Sequence, residues 1–146
     1  YHHPATEAVG RTFADPPMNF VDGDIAGGEA RLGPRIAFPA VGHLRTLPEG
    51  RYRFGVRPSH LSVQRRQTAE TSFTARLELA EISGSETYLH LGFDDASWVL
   101  EENGVHPMAI DRDIEVFLSP HNVFVFDQDG ALVASPPRER ALEAAQ

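Results

Sequence analysis

The sequence predicts an all-β fold, a barrel or sandwich of short strands, preceded by one short helix. Three observations predict it. From Met18 to about Val133, apolar residues recur at every second position in brief runs, the signature of half-buried strands. Each run ends in residues that favour turns, drawn from 12 Gly, 11 Pro and interspersed Asp, Asn and Ser. No apolar stretch approaches the roughly 18 residues needed to cross a bilayer. Strands at this density, with turn residues between them, pack as a barrel or a two-sheet sandwich.

The elements follow in order. Residues 4–14 read as a helix, with Pro4 in its first turn and Ala5, Ala8, Val9, Thr12 and Phe13 on one face. Asp15-Pro16-Pro17 stops it, since proline lacks the amide hydrogen and drives its predecessor out of helical geometry. So short a helix is marginal alone and is expected to dock on a neighbour. Met18-Asn19-Phe20 opens the first strand, with Met18 and Phe20 expected in the core and Asn19 expected to fix the junction of helix and barrel. Gly27-Gly28 reads as a hairpin turn rather than a phosphate loop.

Residues 51–57 form the next clear strand, with Arg51, Arg53, Gly55 and Arg57 on one face and Tyr52, Phe54 and Val56 on the other. Phe73, Ala75, Leu77 and Leu79 are expected on one face of a longer strand. Ser83-Gly84-Ser85-Glu86 turns it into the strand over 88–93. Asp94-Asp95 and Glu101-Glu102 read as solvated loop charge. Ile114, Val116 and Leu118 alternate until Ser119-Pro120 breaks the run. Residues 123–126 then meet the turn Asp127-Gln128-Asp129-Gly130, and Ala131-Leu132-Val133 pairs back. The organisation expected is a linker helix over 1–17, a β domain over 18–134 and a flexible tail over 135–146.

Composition bounds the chemistry. There is no Cys, which removes disulfides, thiolate metal sites and cysteine nucleophiles together. The net charge of −8 opposes nucleic-acid phosphates and anionic membrane surfaces. All 13 basic residues are Arg, scattered along the chain, a pattern we read as codon usage. Without Lys there is no Gly-x-x-x-x-Gly-Lys-[Ser/Thr] loop, so these residues cannot hydrolyse ATP. The seven His show no His-x-x-x-His or His-Glu-x-x-His spacing, so no metal is expected, and His60 is expected to bond locally after the Arg57-Pro58 turn. No Gly-x-Ser-x-Gly elbow accompanies the Ser, His and Asp residues. The start, Tyr1-His2-His3-Pro4, carries neither an initiator Met nor a basic-then-apolar leader, and a piece of a longer protein is expected.

Four short motifs stand in order: Tyr1-x-x-Pro4 leading to Pro16-Pro17-Met18-Asn19; Gly55-Val56-Arg57-Pro58-Ser59-His60; Glu81-x-x-Gly84-x-Glu86-Thr87; and Phe126-Asp127-Gln128-Asp129-Gly130. Together they resemble the accessory domain that follows the ATPase domain in ATP-binding subunits of carbohydrate-uptake ABC transporters, of the maltose and glycerol-phosphate type. The chain departs from the family pattern at Ala8 and Thr12, where two Phe are usual, and at Ser59, where Glu is usual. The resemblance implies a pair of small oligonucleotide-binding (OB)-type barrels, the transport-associated OB or TOBE domain, akin to MOP domains. It makes Met18, Asn19, Pro58, His60, Gly84 and Glu86 signature residues with mainly structural roles.

By the same resemblance, the expected function is non-catalytic. Such a domain pairs with a second copy of the subunit, holds the ATPase domains together, and in some members receives a regulatory protein or metabolite. The implied partners are the chain's own ATPase domain, a second subunit and the membrane subunits, with ATP and Mg belonging to the ATPase domain. The implied place is the inner side of the bacterial plasma membrane, as a peripheral component. Arg51, Arg53 and Arg57 are the candidates for meeting carboxylates of the second copy, because a guanidinium fork suits bidentate pairing. The alternative reading is an oxyanion- or metabolite-binding module, with Ser83-Gly84-Ser85 offering donors. A nucleic-acid barrel is disfavoured, since only Arg51-Tyr52-Arg53-Phe54 interleaves basic and aromatic residues.

Overall fold

Hydrophobic alternation does produce strands throughout. The computed structural model describes residues 17–137 and contains two antiparallel sheets. The expected helix over 4–14, and residues 138–146 of the expected tail, lie outside the described residues. The strands are β1 (Asn19–Ala26), β2 (Glu29–Leu32), β3 (Ile36–Pro39), β4 (Gly50–Val56), β5 (Leu61–Ser62), β6 (Thr71–Ser83), β7 (Glu86–Phe93), β8 (Ala96–Asn103), β9 (Arg112–Leu118), β10 (Phe124–Phe126) and β11 (Leu132–Ala134). One sheet has six strands in the order β11-β10-β4-β1-β2-β3. The other has five, in the order β5-β9-β6-β7-β8, and its end strands curl toward each other as a nearly closed OB-type barrel.

Turn chemistry sets the hairpins. Gly27 and Gly28 both sit at positive φ, 60° and 75°, which lets two residues reverse β1 into β2 with the twist that strands require. Gly84-Ser85 closes β6 onto β7, and Asp94-Asp95 closes β7 onto β8, with Asp94 at φ 52°. Asp127 closes the last turn, its carboxylate accepting from Asp129 N and Ala131 N at 2.9 Å each.

The core is continuous between the sheets. Ile25, Leu32 and Phe54 from the first meet Leu77, Leu89, Trp98 and Val116 from the second. Phe73, Phe93 and Trp98 form an aromatic cluster with ring centroids 4.9, 5.1 and 5.9 Å apart.

Two expectations are corrected. Glu101 and Glu102, expected as loop charge, lie in a strand, β8, opposite Tyr88 and Thr87 of β7. Those acidic residues hid the alternation of the buried Trp98 and Leu100. Leu79 also leaves the face it was expected to share. The register shifts between Leu77 and Leu79, so Phe73, Ala75 and Leu77 are buried while Leu79 stands 46% exposed.

Candidate functional site

Met18 and Asn19 of the first motif meet Gly55 of the second where the two sheets join. Met18, 3% exposed, enters beside β4, and its Sδ lies over Gly55. A Cβ at Gly55 would collide with that sulfur and come 3.2 Å from the Phe126 ring. The first two motifs are therefore two halves of one contact, the glycine making room for the methionine. Phe124 and Phe126 complete this small apolar cluster, with Phe20 meeting Phe126 edge-on at 5.6 Å.

Asn19 extends the same junction. Its Nδ2 donates to Val99 O at 2.9 Å, and its Oδ1 accepts from Val99 N at 2.8 Å. The side-chain amide thus imitates a neighbouring strand along the outer edge of β8. One residue on, Trp98 Nε1 donates to Phe20 O at 3.1 Å. Three hydrogen bonds carry β1 of one sheet onto β8 of the other. Asn19 was expected to hold a helix to the barrel; in the described residues it ties sheet to sheet.

The three arginines part company. Arg51 and Arg53 share the outer face of β4, where the register sets them opposite Asp24 and Asp22 of β1. Arg53 Nε donates to Asp22 Oδ1 at 3.0 Å, and Arg51 Nη1 reaches Asp24 Oδ2 at 3.5 Å. Arg57 differs from them in burial. β4 ends at Val56, and Arg57 is 3% exposed with its guanidinium 4.8 Å from the centre of the Phe124 ring. Pro58 then opens the 3-10 turn Pro58–His60, where His60 N donates to Arg57 O at 2.9 Å.

The third motif builds the far end of the barrel. Gly84 takes φ 62° in the turn, and Ser85 Oγ donates to Glu86 Oε1 at 3.0 Å. A carboxylate occupies the hydroxyl that an anion would need, which argues against Ser83-Gly84-Ser85 as an oxyanion cradle. Thr87, fully buried, donates to Gly104 O at 2.7 Å and accepts from His106 N at 3.0 Å, pinning the loop that follows β8.

Glu102 spans the seam between the barrel's end strands. Its Oε1 accepts from Ser62 Oγ and Val63 N, both at 3.3 Å, and its Oε2 meets Arg66 at the same distance. Beside it opens a cleft of about 370 Å³ walled by Val63, Leu89 and Met108. A second latch joins the sheets elsewhere: Arg35 pairs with Asp94 at 3.0 Å and donates to Thr74 O at 3.3 Å. The hydrogen bond to Asp94, and then its negative charge, hold the Arg35 guanidinium pKa above its ordinary value. Trp98 was not singled out from sequence, and Glu102 was read there only as solvated loop charge. The one available signal was the lone Trp inside an alternating run, masked by the acidic pairs at 94–95 and 101–102.

Nothing at this junction sets a nucleophile beside a base; its polar side chains bind main-chain groups of the same chain. Comparison with known proteins agrees with that structural character. The TOBE domain profile matches residues 54–126, half of the chain, running from β4 through the whole five-stranded sheet to β10. The sn-glycerol-3-phosphate import ATP-binding protein UgpC of Brucella abortus biovar 1 (strain 9-941) is 29% identical over 138 residues, covering 92% of this chain and 36% of that protein. The xylose/arabinose import ATP-binding protein XacK of Haloferax volcanii is 31% identical over 97 residues, covering 65% of this chain and 25% of that protein. The chain thus spans between a quarter and about a third of the length of these relatives. With its motifs in order along the chain, a two-sheet β fold, and half its length matching the profile, this chain belongs to the TOBE domain family.

Proposed function

We propose that this chain is the non-catalytic regulatory domain of the ATP-binding subunit of an ABC importer for sugars, polyols or glycerol phosphate. The observation that carries the reading is its membership of the TOBE family, alongside relatives named as import ATP-binding proteins. On this reading ATP and Mg are handled by a separate ATPase domain of the same subunit, and the β domain supplies rigidity and surface. The subunit sits on the inner side of the membrane through its membrane partners; among the described residues no helix is long and apolar enough to cross it. In-frame removal of residues 18–134 from the gene tests the assignment. Uptake of labelled xylose, glycerol or glycerol 3-phosphate should fall for one of the three, and unchanged uptake of all three would overturn it.

The finer part of the proposal is that two copies pair, holding two ATPase domains together, and that the same domain receives a regulatory protein. The outer face carrying Arg51 and Arg53 is the first pairing surface to test, and Arg57, buried against Phe124, is not exposed to take part in it. Sedimentation equilibrium of the 146-residue chain should give a concentration-dependent dimer that Arg51→Glu with Arg53→Glu weakens. A monomer at every concentration would contradict self-pairing by this domain.

A further inference from the structure

Strand β6 outruns one of its neighbours. β7 pairs with it as far as Ser83, whereas β9 covers it only from Thr71 to Leu77. Along residues 78–83, the edge facing away from β7 has no strand partner among the described residues. Such an edge presents main-chain donors and acceptors in a row, ready to template another strand. Large apolar side chains gather at it: Leu79 and Ile82 are 46% and 52% exposed. Ile110, 46% exposed, precedes Asp111, whose N donates to Leu77 O at 2.7 Å where β9 coverage ends.

The bulge gives this edge two different faces. Past it, Leu79 pairs with His90 and Glu81 with Tyr88, while Ala80 and Ile82 pair with Leu89 and Thr87, which are buried. Glu81 bonds His90 on the outer face, and the Glu78 carboxylate lies over Gly92 on that same face. One face of the edge therefore carries Glu78 and Glu81 with the exposed Leu79 between them, and the other is apolar at Ala80 and Ile82.

We propose that residues 78–83 are a docking edge for an extended segment of a partner protein whose side chains alternate basic and apolar. The partner strand adds to β6 through main-chain hydrogen bonds. Its apolar side chains pack beside Ala80 and Ile82, and its Lys or Arg residues meet Glu78 and Glu81. A second copy of this chain fits less well, since antiparallel pairing of two β6 edges brings acidic faces together, and like charges across strands repel. This surface stands apart from the Arg51–Arg53 face, and its test does not depend on the transporter reading.

The test uses the full 146-residue chain, isotope-labelled, with an end-blocked octapeptide of alternating Val and Lys as probe. Added peptide should slow amide hydrogen exchange at residues 78–83. A matching Val-Glu peptide should bind about fivefold more weakly or worse, as two lost charge pairs across strands imply. Glu78→Lys with Glu81→Lys should invert that preference, and Trp98 fluorescence confirms that the exposed substitutions leave the core intact. Equal binding of both peptides, protection confined to other strands, or no binding would each overturn the proposal. Protection of this edge that rises with protein concentration without peptide would overturn it too, giving the edge to a second copy.

Discussion

Strands β1 and β4 lie side by side, yet the two ends of their ladder have opposite physics. At the Asn19–Val56 end everything is buried: Met18 fills the space over Gly55, and Asn19 carries the ladder across to β8. At the Asp24–Arg51 end the same pairing carries an exposed ion pair, with Arg51 63% and Asp24 36% exposed. Both ends carry specific side-chain contacts, but only at the Asn19 end do they satisfy main-chain groups, the N–H and C=O of Val99. A buried donor or acceptor left unmade costs far more than a screened surface charge pair. The difference teaches that sequence motifs in this chain mark the places where burial makes a contact obligatory.

Four substitutions sharpen that contrast, taken from the buried end of the ladder to the exposed one. Asn19→Ala strips both main-chain groups of Val99 of their partners and should cost about 2–4 kcal/mol. Gly55→Ala pushes a methyl into Met18 and should cost about 1–3 kcal/mol. Met18→Ala, costly alone, should recover part of that loss when combined with Gly55→Ala, and a double-mutant cycle by urea unfolding measures the coupling. At the exposed end, Arg51→Ala should shift stability by no more than about 0.5 kcal/mol, shrinking further in high salt. A large effect of Arg51→Ala on the chain's stability would break the comparison.

Much of this fold was legible because strands with one buried face print their alternation in the sequence. β4, the first half of β6, β7 and β9 all follow it, and Gly27-Gly28 names its own turn. Failures came where another rule intervened. The bulge after Leu77 shifts the period by one residue, and nothing in Leu77-Glu78-Leu79 announces it. β8 was hidden because acidic pairs fall in the turn before it and near its end, although its Trp98 and Leu100 are among the most buried side chains of the described residues. Arg57 was expected to share an open face with Arg51 and Arg53, but β4 ends at Val56 and the Arg57 side chain is buried over the Phe124 ring.

The site was half legible. Met18, Asn19, Gly55 and Thr87 stood in the motifs, but their partners Val99, Phe126 and Gly104 are distant in sequence and main-chain or apolar in chemistry. A motif shows that a residue is constrained; what it touches emerges only once the strands are paired.

The most direct measurement is the unfolding free energy of Asn19→Ala, followed in urea by the fluorescence of Trp98, the chain's one tryptophan, which sits beside Val99 and bonds Phe20 O. If the signature residues lock sheet to sheet, the variant loses about 2–4 kcal/mol and the Trp98 transition moves to lower urea. A variant within about 0.5 kcal/mol of the parent chain, with the Trp98 transition unmoved, would contradict that account.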